Sequence, residues 1–502
     1  MKSSDDVIND QFERKEQYDA DKKRKRAARM KVIIPVCAVC CAVLLGVGVW
    51  KSGVLRKIKG TNGAGNGTEQ TTVTPGEPSS NQATPTVTTP TDTPTATPTV
   101  TPTATPMATP TIAPPELEGA TNLTEGSSGT PAKTKEMDNA MRKAYGTFAY
   151  KLFAELPEGK TRMISPFSVY VALSMLANGA EGETLAQIDE LLGLTAEERN
   201  AYLAAWIKDL TEVENGATTF TNADSIWIYD EFKSIVPKDF LAICAQYYRA
   251  AVLSAPMDDS TVRDINAWVK NKTRDMIDTI IDELPDNTAM VLMNAIALDA
   301  AWEGEFDEAE TQKDYTFTKA DGTTVKVDMM FGEFSETYLH NELCTGFVKS
   351  YKGNDFSYVA LLPREEVSLE QLIDSLSPKA VQELLDYSDR GAIINLGMPK
   401  YEADYSIEFS DVLKGLGMTD AFDDSKADFS RLIEQLEVYV TRVIHKTHIS
   451  VDEKGTKAEA VTYVETGWKS MPMTYWITLD RPFVYMIVDS YGLPIFIGTY
   501  EG

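Results

Sequence analysis

Cysteine is scarce in this 502-residue chain, which contains five. Three of them, Cys37, Cys40 and Cys41, lie in one apolar run, so only Cys244 and Cys344 remain for the rest of the chain. A disulfide scaffold is therefore excluded. The last two could pair with each other, but a large apolar core does not need such a bond, and we expect two free buried thiols.

Positive charge is also lacking, since the formal net charge of the whole chain is -27. The distribution is uneven: residues 1–59 carry a net charge of +7, whereas residues 136–502 hold 32 basic and 62 acidic side chains, a net charge of -30. A domain this acidic repels nucleic acid and anionic membrane surfaces. We therefore expect no nucleic-acid partner.

The signatures of common enzymes are missing. The sequence contains neither a G-x-S-x-G nucleophile elbow nor an H-E-x-x-H zinc motif. The stretch GKT at residues 159–161 would need a glycine at position 154 to form a phosphate-binding loop, and Ala154 stands there. His445 and His448 are three residues apart in a predicted strand, so they point to opposite faces and cannot chelate one metal. We predict that the protein is not an enzyme and that it has no metal and no cofactor.

One long apolar run is present, at residues 32–50, and it contains no charged residue. As a helix it would span roughly 28 Å, about the thickness of a bilayer core. Seven basic residues precede it closely, which predicts a cytoplasmic tail at residues 1–31, a transmembrane helix at 32–50 and an extracellular remainder. A cleaved signal peptide or a lipoprotein remains an alternative, although the cleavage site is poor and the cysteines lie in mid-run.

Residues 51–135 are predicted to be a disordered linker rich in threonine and proline. A Thr/Pro near-repeat fills the stretch from Thr84 to Pro115. Proline removes backbone donors and threonine has little apolar surface to bury, so no core can form there. At ~3.1 Å per residue, the part after residue 60 could reach on the order of 200 Å, far enough to cross a cell wall.

Residues 136–502 show mixed patterning and are predicted to form one domain. Periodicity predicts helices over residues 140–156, 168–179 and 261–281, and strands over residues 356–362, 438–451, 482–487 and 494–500. Helices come mainly before strands, without a regular alternation of the two. This order indicates an α+β fold with large, mostly antiparallel sheets.

Five stretches of this domain form an ordered set of motifs: ISPFSVYVALSMLANGAEGET (164–184), NAIALDAAWEGEF (294–306), MPKYEADYSIEFSDVLKGLGMTDAFDDSKADFSRL (398–432), VIHKTHISVDEKGTKAEAVT (443–462) and DRPFVYMIVDSYGLPIFIGTY (480–500). In this order they resemble the conserved segments of the serpins, a family of serine protease inhibitors. The resemblance implies three β-sheets, about eight to nine helices and an exposed reactive loop. We expect a membrane-anchored, bacterial member of the family.

The resemblance also implies a mechanism. A serpin offers its loop to a protease, and after the attack the cut loop inserts as a new strand into the main sheet. The hinge that leads into this loop comprises Glu453, Gly455, Thr456, Ala458, Ala460 and Thr462. From Thr456 every second residue is small or β-branched and uncharged, and the charges fall on the other face, which suits a strand that is later buried on one side. A permanent edge strand would show the same alternation.

The remaining site residues also come from the resemblance. The bond attacked lies about fourteen residues after the hinge glycine, which predicts Lys469 followed by Ser470, with Trp468 or Met471 as alternatives. Lysine at this position fits trypsin-like proteases. The polar cluster where the main sheet parts, called the shutter, is predicted from Ser165, Ser168, Asn294 and His445. Trp302 is predicted at the breach, the top of that sheet.

We therefore predict a cell-surface, suicide-type inhibitor of trypsin-like serine proteases, anchored in the membrane through residues 32–50 and monomeric. The alternative is a non-inhibitory binding module with the same fold on the same stalk.

Overall fold

A computed structural model describes residues 116–127, 132–158, 161–213, 218–285, 288–433, 438–456 and 473–502. All of them belong to one unit of the chain, Thr105–Gly502. The predicted tail (1–31), transmembrane helix (32–50) and first part of the linker (51–115) lie outside the described residues. In the part of the chain that is described, no helix has both the length and the apolar character needed to cross a membrane.

Nine α-helices lie within the described residues. They are α1 (Asn139–Ala154), α2 (Pro166–Ala177), α3 (Gly182–Leu192), α4 (Ala196–Thr211), α5 (Lys238–Tyr247), α6 (Asp259–Lys272), α7 (Leu369–Ser375), α8 (Pro378–Asp386) and α9 (Ser410–Gly415). Helix α2 is buried along its whole length. Ser165 begins it by accepting the N–H of Ser168, and Pro166 occupies the first helical position, where its missing N–H costs nothing.

Helix α6 is shorter than the helix predicted over residues 261–281. It ends at Lys272, and Arg274 and Asp275 then adopt left-handed backbone angles, with φ values of 53° and 62°. An α-helix cannot continue through two such residues. Three buried isoleucines follow in an irregular segment and pack into the same core as the helix: Ile277, Ile280 and Ile281. Their spacing explains why the periodicity extends beyond the helix.

The described residues contain sixteen strands in two hydrogen-bonded sheets. They are β1 (Thr121–Asn122), β2 (Met163–Ile164), β3 (Thr218–Tyr229), β4 (Ala251–Ala255), β5 (Met290–Ala301), β6 (Gln312–Thr318), β7 (Thr324–His340), β8 (Cys344–Ser350), β9 (Phe356–Pro363), β10 (Asp389–Pro399), β11 (Tyr401–Glu408), β12 (Val443–Val451), β13 (Gly455–Thr456), β14 (Thr474–Thr478), β15 (Phe483–Asp489) and β16 (Pro494–Tyr500). The first sheet has the order β1-β4-β3-β5-β12-β11, with β13 also paired to β5. The second has the order β14-β10-β7-β8-β9-β15-β16-β2, with β6 also paired to β7.

Two sheets are therefore seen where three were predicted, because the 17-residue strand β7 is shared. It pairs with β6 and β10 along most of its length and with β8 through its last four residues. Most strand pairs are antiparallel, and the parallel ones are β3–β4, β5–β12 and β10–β14. The predicted α+β class with mostly antiparallel sheets is confirmed. The strand predicted over residues 438–451 begins only at Val443.

Residues 116–127 lie against this domain, whereas the sequence indicated a disordered linker as far as residue 135. The carboxylate of Asp264, which is 1% exposed, accepts the backbone N–H groups of Glu118, Gly119 and Ala120 at 2.6, 2.9 and 2.8 Å. Arg263 forms an ion pair with Glu118 at 2.8 Å, and β1 extends the first sheet beside β4. A buried carboxylate that finds three donors in one short segment explains why that segment is ordered.

The cysteines of the domain behave as predicted. Cys244 and Cys344 are both buried and free, and burial raises the pKa of both thiols. They therefore act as small apolar side chains in the core.

Candidate functional site: the hinge and the opening of the first sheet

The four residues predicted for the shutter lie together beneath the first sheet. The Ser165 N–H donates to Nε2 of His445 at 3.0 Å, and the Ser165 hydroxyl donates to the carbonyl of Ile495 at 2.7 Å. The side-chain amide of Asn294 donates to the carbonyl of Ser168 at 3.0 Å. Since His445 and Asn294 stand opposite each other on β12 and β5, this cluster joins helix α2 to both strands.

A fifth member of the cluster, Asp224, was not found from the sequence. It stands opposite Asn294 on β3, is 3% exposed, and its carboxylate accepts hydrogen bonds from Asn294 and from Asn222. Burial raises the pKa of Asp224 to about 7, and the same cause lowers the pKa of His445 to about 3. His445 is therefore neutral at physiological pH and accepts at Nε2, while its Nδ1 makes no hydrogen bond within the described residues.

The first sheet is incompletely paired beyond this cluster. Strands β5 and β12 are hydrogen-bonded from Leu292–Val443 to Ile296–Thr447. Both strands continue further, to Ala301 and Val451, but without pairing to each other. The crevice that results, which we call the slot, is lined by Leu298, His448, Ile449, Thr456, Ile487 and Phe496.

The hinge begins at the open end of this slot. After β12 the chain turns at Asp452, whose carboxylate accepts the N–H groups of Lys454 and Gly455. Gly455 and Thr456 then form β13, antiparallel to Ala301 and Ala300 of β5. Gly455 has φ 155°, and a Cβ at this position would lie 2.2 Å from the carbonyl oxygen of Ala300, so only glycine allows the approach.

The predicted hinge residue Glu453 is held in place by two partners. Although the residue is only 5% exposed, its carboxylate accepts from Nζ of Lys400 at 2.7 Å and from the hydroxyl of Thr311 at 2.8 Å. Burial acts to raise the pKa of Glu453, but these hydrogen bonds outweigh it and the net pKa is lowered. The charge of Glu453 thus fixes the base of the hinge to Lys400, between β10 and β11.

Trp302, predicted at the breach, also contacts the hinge. It is fully buried, its indole N–H donates to the carbonyl of Asp452 at 2.9 Å, and its backbone N–H donates to the carbonyl of Lys454 at 2.9 Å. Its ring stacks on Tyr351 with 4.4 Å between centroids. The hydroxyl of Tyr351 is in turn bonded to Thr456, so one aromatic pair holds both ends of the turn.

A sequence model of the family described as Serpin (serine protease inhibitor) matches residues 143–501. The chain belongs to the serpin family. Serpins are in general inhibitors of serine proteases and not catalysts, although some are non-inhibitory.

Known proteins show the same relationship over the whole domain. The chain is 28% identical to human leukocyte elastase inhibitor over 379 residues, which cover 70% of this chain and 97% of that protein. It is similar to the crystal structure of the thermophilic serpin tengpin in the native state, with 39% identity, a TM-score of 0.71, and coverage of 76% of this chain and 100% of that one. Thyroxine-binding globulin in complex with thyroxine has a similar structure, with 26% identity, a TM-score of 0.64, and coverage of 72% and 99%. The predicted serpin fold is confirmed.

Part of the predicted site of this serpin lies outside the described residues. That part comprises Ala458, Ala460 and Thr462 of the hinge and the bond between Lys469 and Ser470. Their predicted roles stay predictions.

Two further residues near the breach were missed from the sequence, Tyr351 and Lys349. Tyr351 lies in a turn after β8, and no sequence motif links it to the hinge. Lys349 lies in β8, and the sequence carries no signal for its burial, because lysine is almost never fully buried unless it has a partner. Within the described residues, no group of three or more His, Cys, Asp or Glu side chains is placed to hold a metal ion.

Proposed function

We propose that this serpin is a suicide-type inhibitor, displayed on the cell surface, that traps a trypsin-like serine protease as a covalent acyl complex after cleavage between Lys469 and Ser470. The observation that carries the proposal is the slot between β5 and β12, with Gly455 and Thr456 of the hinge already paired at its open end.

The register of β13 supports a route by which the hinge would enter the slot. Gly455 pairs with Ala301 and Thr456 pairs with Ala300. Continued in the same register, the hinge places three more of its residues opposite β5: Ala458 opposite Leu298, Ala460 opposite Ile296 and Thr462 opposite Asn294. The first pairing lies along the part of β5 that β12 does not pair with, and the next two require β5 and β12 to separate at the shutter. None of the inserted side chains on the core face is charged, so insertion does not bury an unpaired charge.

The chemistry belongs to the protease. Its serine attacks the carbonyl carbon of Lys469, the peptide bond to Ser470 breaks, and the new amino group of Ser470 leaves with a proton while Lys469 remains as an ester on the protease. Insertion of the freed hinge competes with water for this ester. If insertion comes first, the complex is trapped, so the native fold has to be stable kinetically rather than thermodynamically.

The target class rests on Lys469. A deep acidic pocket binds a lysine through its charge and its aliphatic stem, and such a pocket defines trypsin-like specificity. The display on the cell surface rests on the apolar run at residues 32–50 and the basic residues before it. Protease added to intact cells should then cut the linker and release the domain, and retention of the domain in a protected compartment would contradict the topology.

The decisive experiment incubates the full chain with trypsin-, chymotrypsin- and elastase-like proteases and separates the products on a denaturing gel. We expect an SDS-resistant complex with trypsin-like enzymes, formed much faster than with the other two classes. Complete cleavage of the loop without any complex would instead support a non-inhibitory module.

That second function is favoured by one comparison. Thyroxine-binding globulin, which has a similar structure, is seen in complex with a small molecule. The fold alone therefore does not prove inhibition, and the gel separates the two functions.

A further inference from the structure

Lys349 on β8 is a lysine without access to solvent. Its side chain is 0% exposed. Among the residues that the structure describes, the ammonium donates one hydrogen bond, to the carbonyl of Gly304 at 2.7 Å, and it lies 3.3 Å from the ring centroid of Phe334. The rings of Phe306 and Trp302 are 5.1 and 5.5 Å away. Aromatic faces attract a cation, but they replace only part of the hydration that a buried ammonium loses.

The charges that face Lys349 do not neutralise it fully. The nearest carboxylate, Glu336 on β7, lies 4.0 Å from the ammonium and is itself largely buried, with 14% of its side chain exposed. Glu303, which is on the segment after β5, is close enough to Glu336 for its negative charge to raise the pKa of Glu336. Two other carboxylates near the breach already have lysines of their own, since Glu305 pairs with Lys352 at 2.9 Å and Glu453 pairs with Lys400 at 2.7 Å.

The atom that Lys349 holds belongs to the segment that grips the hinge. Gly304 lies in residues 302–306, and the two ends of this segment donate backbone hydrogen bonds to the hinge turn. The N–H of Trp302 donates to the carbonyl of Lys454, and the N–H of Phe306 donates to the carbonyl of Glu453, both at 2.9 Å. A change at Lys349 is therefore transmitted through one short segment to the base of the hinge.

We propose that Lys349 is a proton-responsive latch. When its side chain is protonated, the native state carries a poorly compensated buried charge, which favours release of residues 302–306 and of the hinge. When the side chain of Lys349 is neutral, the hinge is held most firmly. The latch concerns the stability of the native sheet, and only its consequence for inhibition rests on the proposed function.

The direction of the pH effect follows from linkage. Burial lowers the pKa of Lys349 to about 7, and the charge of Glu336 opposes this shift only in part. In the unfolded chain the pKa of a lysine is about 10.4. Between these values the unfolded chain binds a proton that the native state does not, so native stability rises as pH rises through this window. Burial raises the pKa of Glu336, so this carboxyl titrates in the opposite direction, lowering native stability as pH rises, and at a lower pH than Lys349.

The test measures thermal unfolding of the full chain at about pH 7 and about pH 9.5, for the wild type and for Lys349→Met. Methionine keeps the length of the side chain and removes the charge. We expect the variant to melt at least on the order of 2 °C higher than the wild type at the lower pH, and to lose the part of the rise with pH that Lys349 contributes. The rate at which mild heating releases the hinge from the native sheet should also be lower in Lys349→Met than in the wild type.

Lys352→Met is the matched control, because it removes a neighbouring lysine that is 20% exposed and directly paired with Glu305. It should leave the rise with pH in place. A Lys349→Met protein that shows the wild-type rise, or that melts lower at both pH values, overturns the proposal.

If Lys349→Met does not fold, Glu336→Gln provides the second test. Without the carboxylate at 4.0 Å, the rise should begin at a lower pH, and an unchanged profile overturns the latch. Failure of the wild type to trap any protease would reject the proposed function and leave these melting curves unaffected.

Discussion

The hydroxyl of Tyr351 lies 2.8 Å from the hydroxyl of Thr456, and both residues are almost completely buried. This contact spans 105 residues of sequence and joins the breach to the first hinge residue whose side chain faces the core. Because Tyr351 also stacks on Trp302, the aromatic pair holds Thr456 in the position from which the hinge would extend.

Tyr351→Phe should weaken this hold. The change removes one hydrogen bond and leaves the Thr456 hydroxyl buried without that partner, which costs about 1 kcal/mol. We expect the variant to have a lower free energy of unfolding than the wild type and to lose the native state faster on mild heating. Circular dichroism measures both effects. A double-mutant cycle with Thr456→Val isolates the contact. Strict additivity of the two single losses would show that the hydroxyls do not interact.

Thr456→Arg should turn the inhibitor into a substrate. Thr456 is already buried and paired with Ala300, so an arginine there would displace β13 from β5 and would have to be buried before insertion could continue. Insertion is then slowed, and the ester hydrolyses before the protease is trapped. The fold should largely survive, because β13 contributes only two residue pairs. The ratio of cleaved to complexed protein on a denaturing gel measures the effect. Glu459→Arg is the matched control, since its side chain falls on the solvent-facing series, and it should inhibit like the wild type. A Thr456→Arg variant with wild-type stoichiometry would falsify the insertion mechanism.

The sequence predicts well the parts of the fold that depend on local pattern. Helix α2 is marked by Ser165 and Pro166 at its start, and the C-terminal strands β15 and β16 are marked by continuous apolar runs. Local pattern also misleads, since the isoleucines after Lys272 keep the helical spacing while Arg274 and Asp275 break the helix.

The parts that sequence could not supply depend on contacts between distant residues. Asp264 orders residues 118–120 from 144 or more positions away, and Asp224 meets Asn294 only because β3 pairs with β5. In a domain with 62 acidic side chains, nothing in the local sequence distinguishes these two buried aspartates from those that face solvent. Only the pairing of strands and the packing of α6 reveal them.

The shutter should make the native protein sensitive to acid. His445 has a native pKa of about 3 against an ordinary value of 6.5, so the unfolded chain binds its proton first and the stability due to this residue is lost as pH falls below about 6.5. Asp224, with a native pKa of about 7, acts in the opposite direction and gains stability as it is protonated. Asp224→Asn should therefore be more stable than the wild type at about pH 8, by on the order of 1 kcal/mol, and should lose more stability between pH 7 and pH 4.5.

Unfolding in denaturant at these pH values measures both effects. His445→Gln is the complementary variant and should flatten the acid loss, because glutamine does not titrate. Equal acid profiles for the wild type, Asp224→Asn and His445→Gln would show that the shutter does not determine the acid response.

Lys469 should determine which proteases are inhibited. Replacing it by alanine or leucine removes both the charge and the aliphatic stem that a trypsin-like pocket recognises, and a desolvated contact of this kind contributes a few kcal/mol. The association rate with a trypsin-like enzyme should fall by roughly two orders of magnitude, since 1.4 kcal/mol corresponds to a factor of ten. Lys457→Ala, which removes another lysine of the same loop, is the control and should leave the rate unchanged.

Mass spectrometry of the small C-terminal fragment then locates the bond. A fragment that begins at Ser470 supports Lys469, whereas one that begins at Lys469 or Pro472 moves the bond to Trp468 or Met471 and changes the target class, because neither of those side chains carries the charge that a trypsin-like pocket requires.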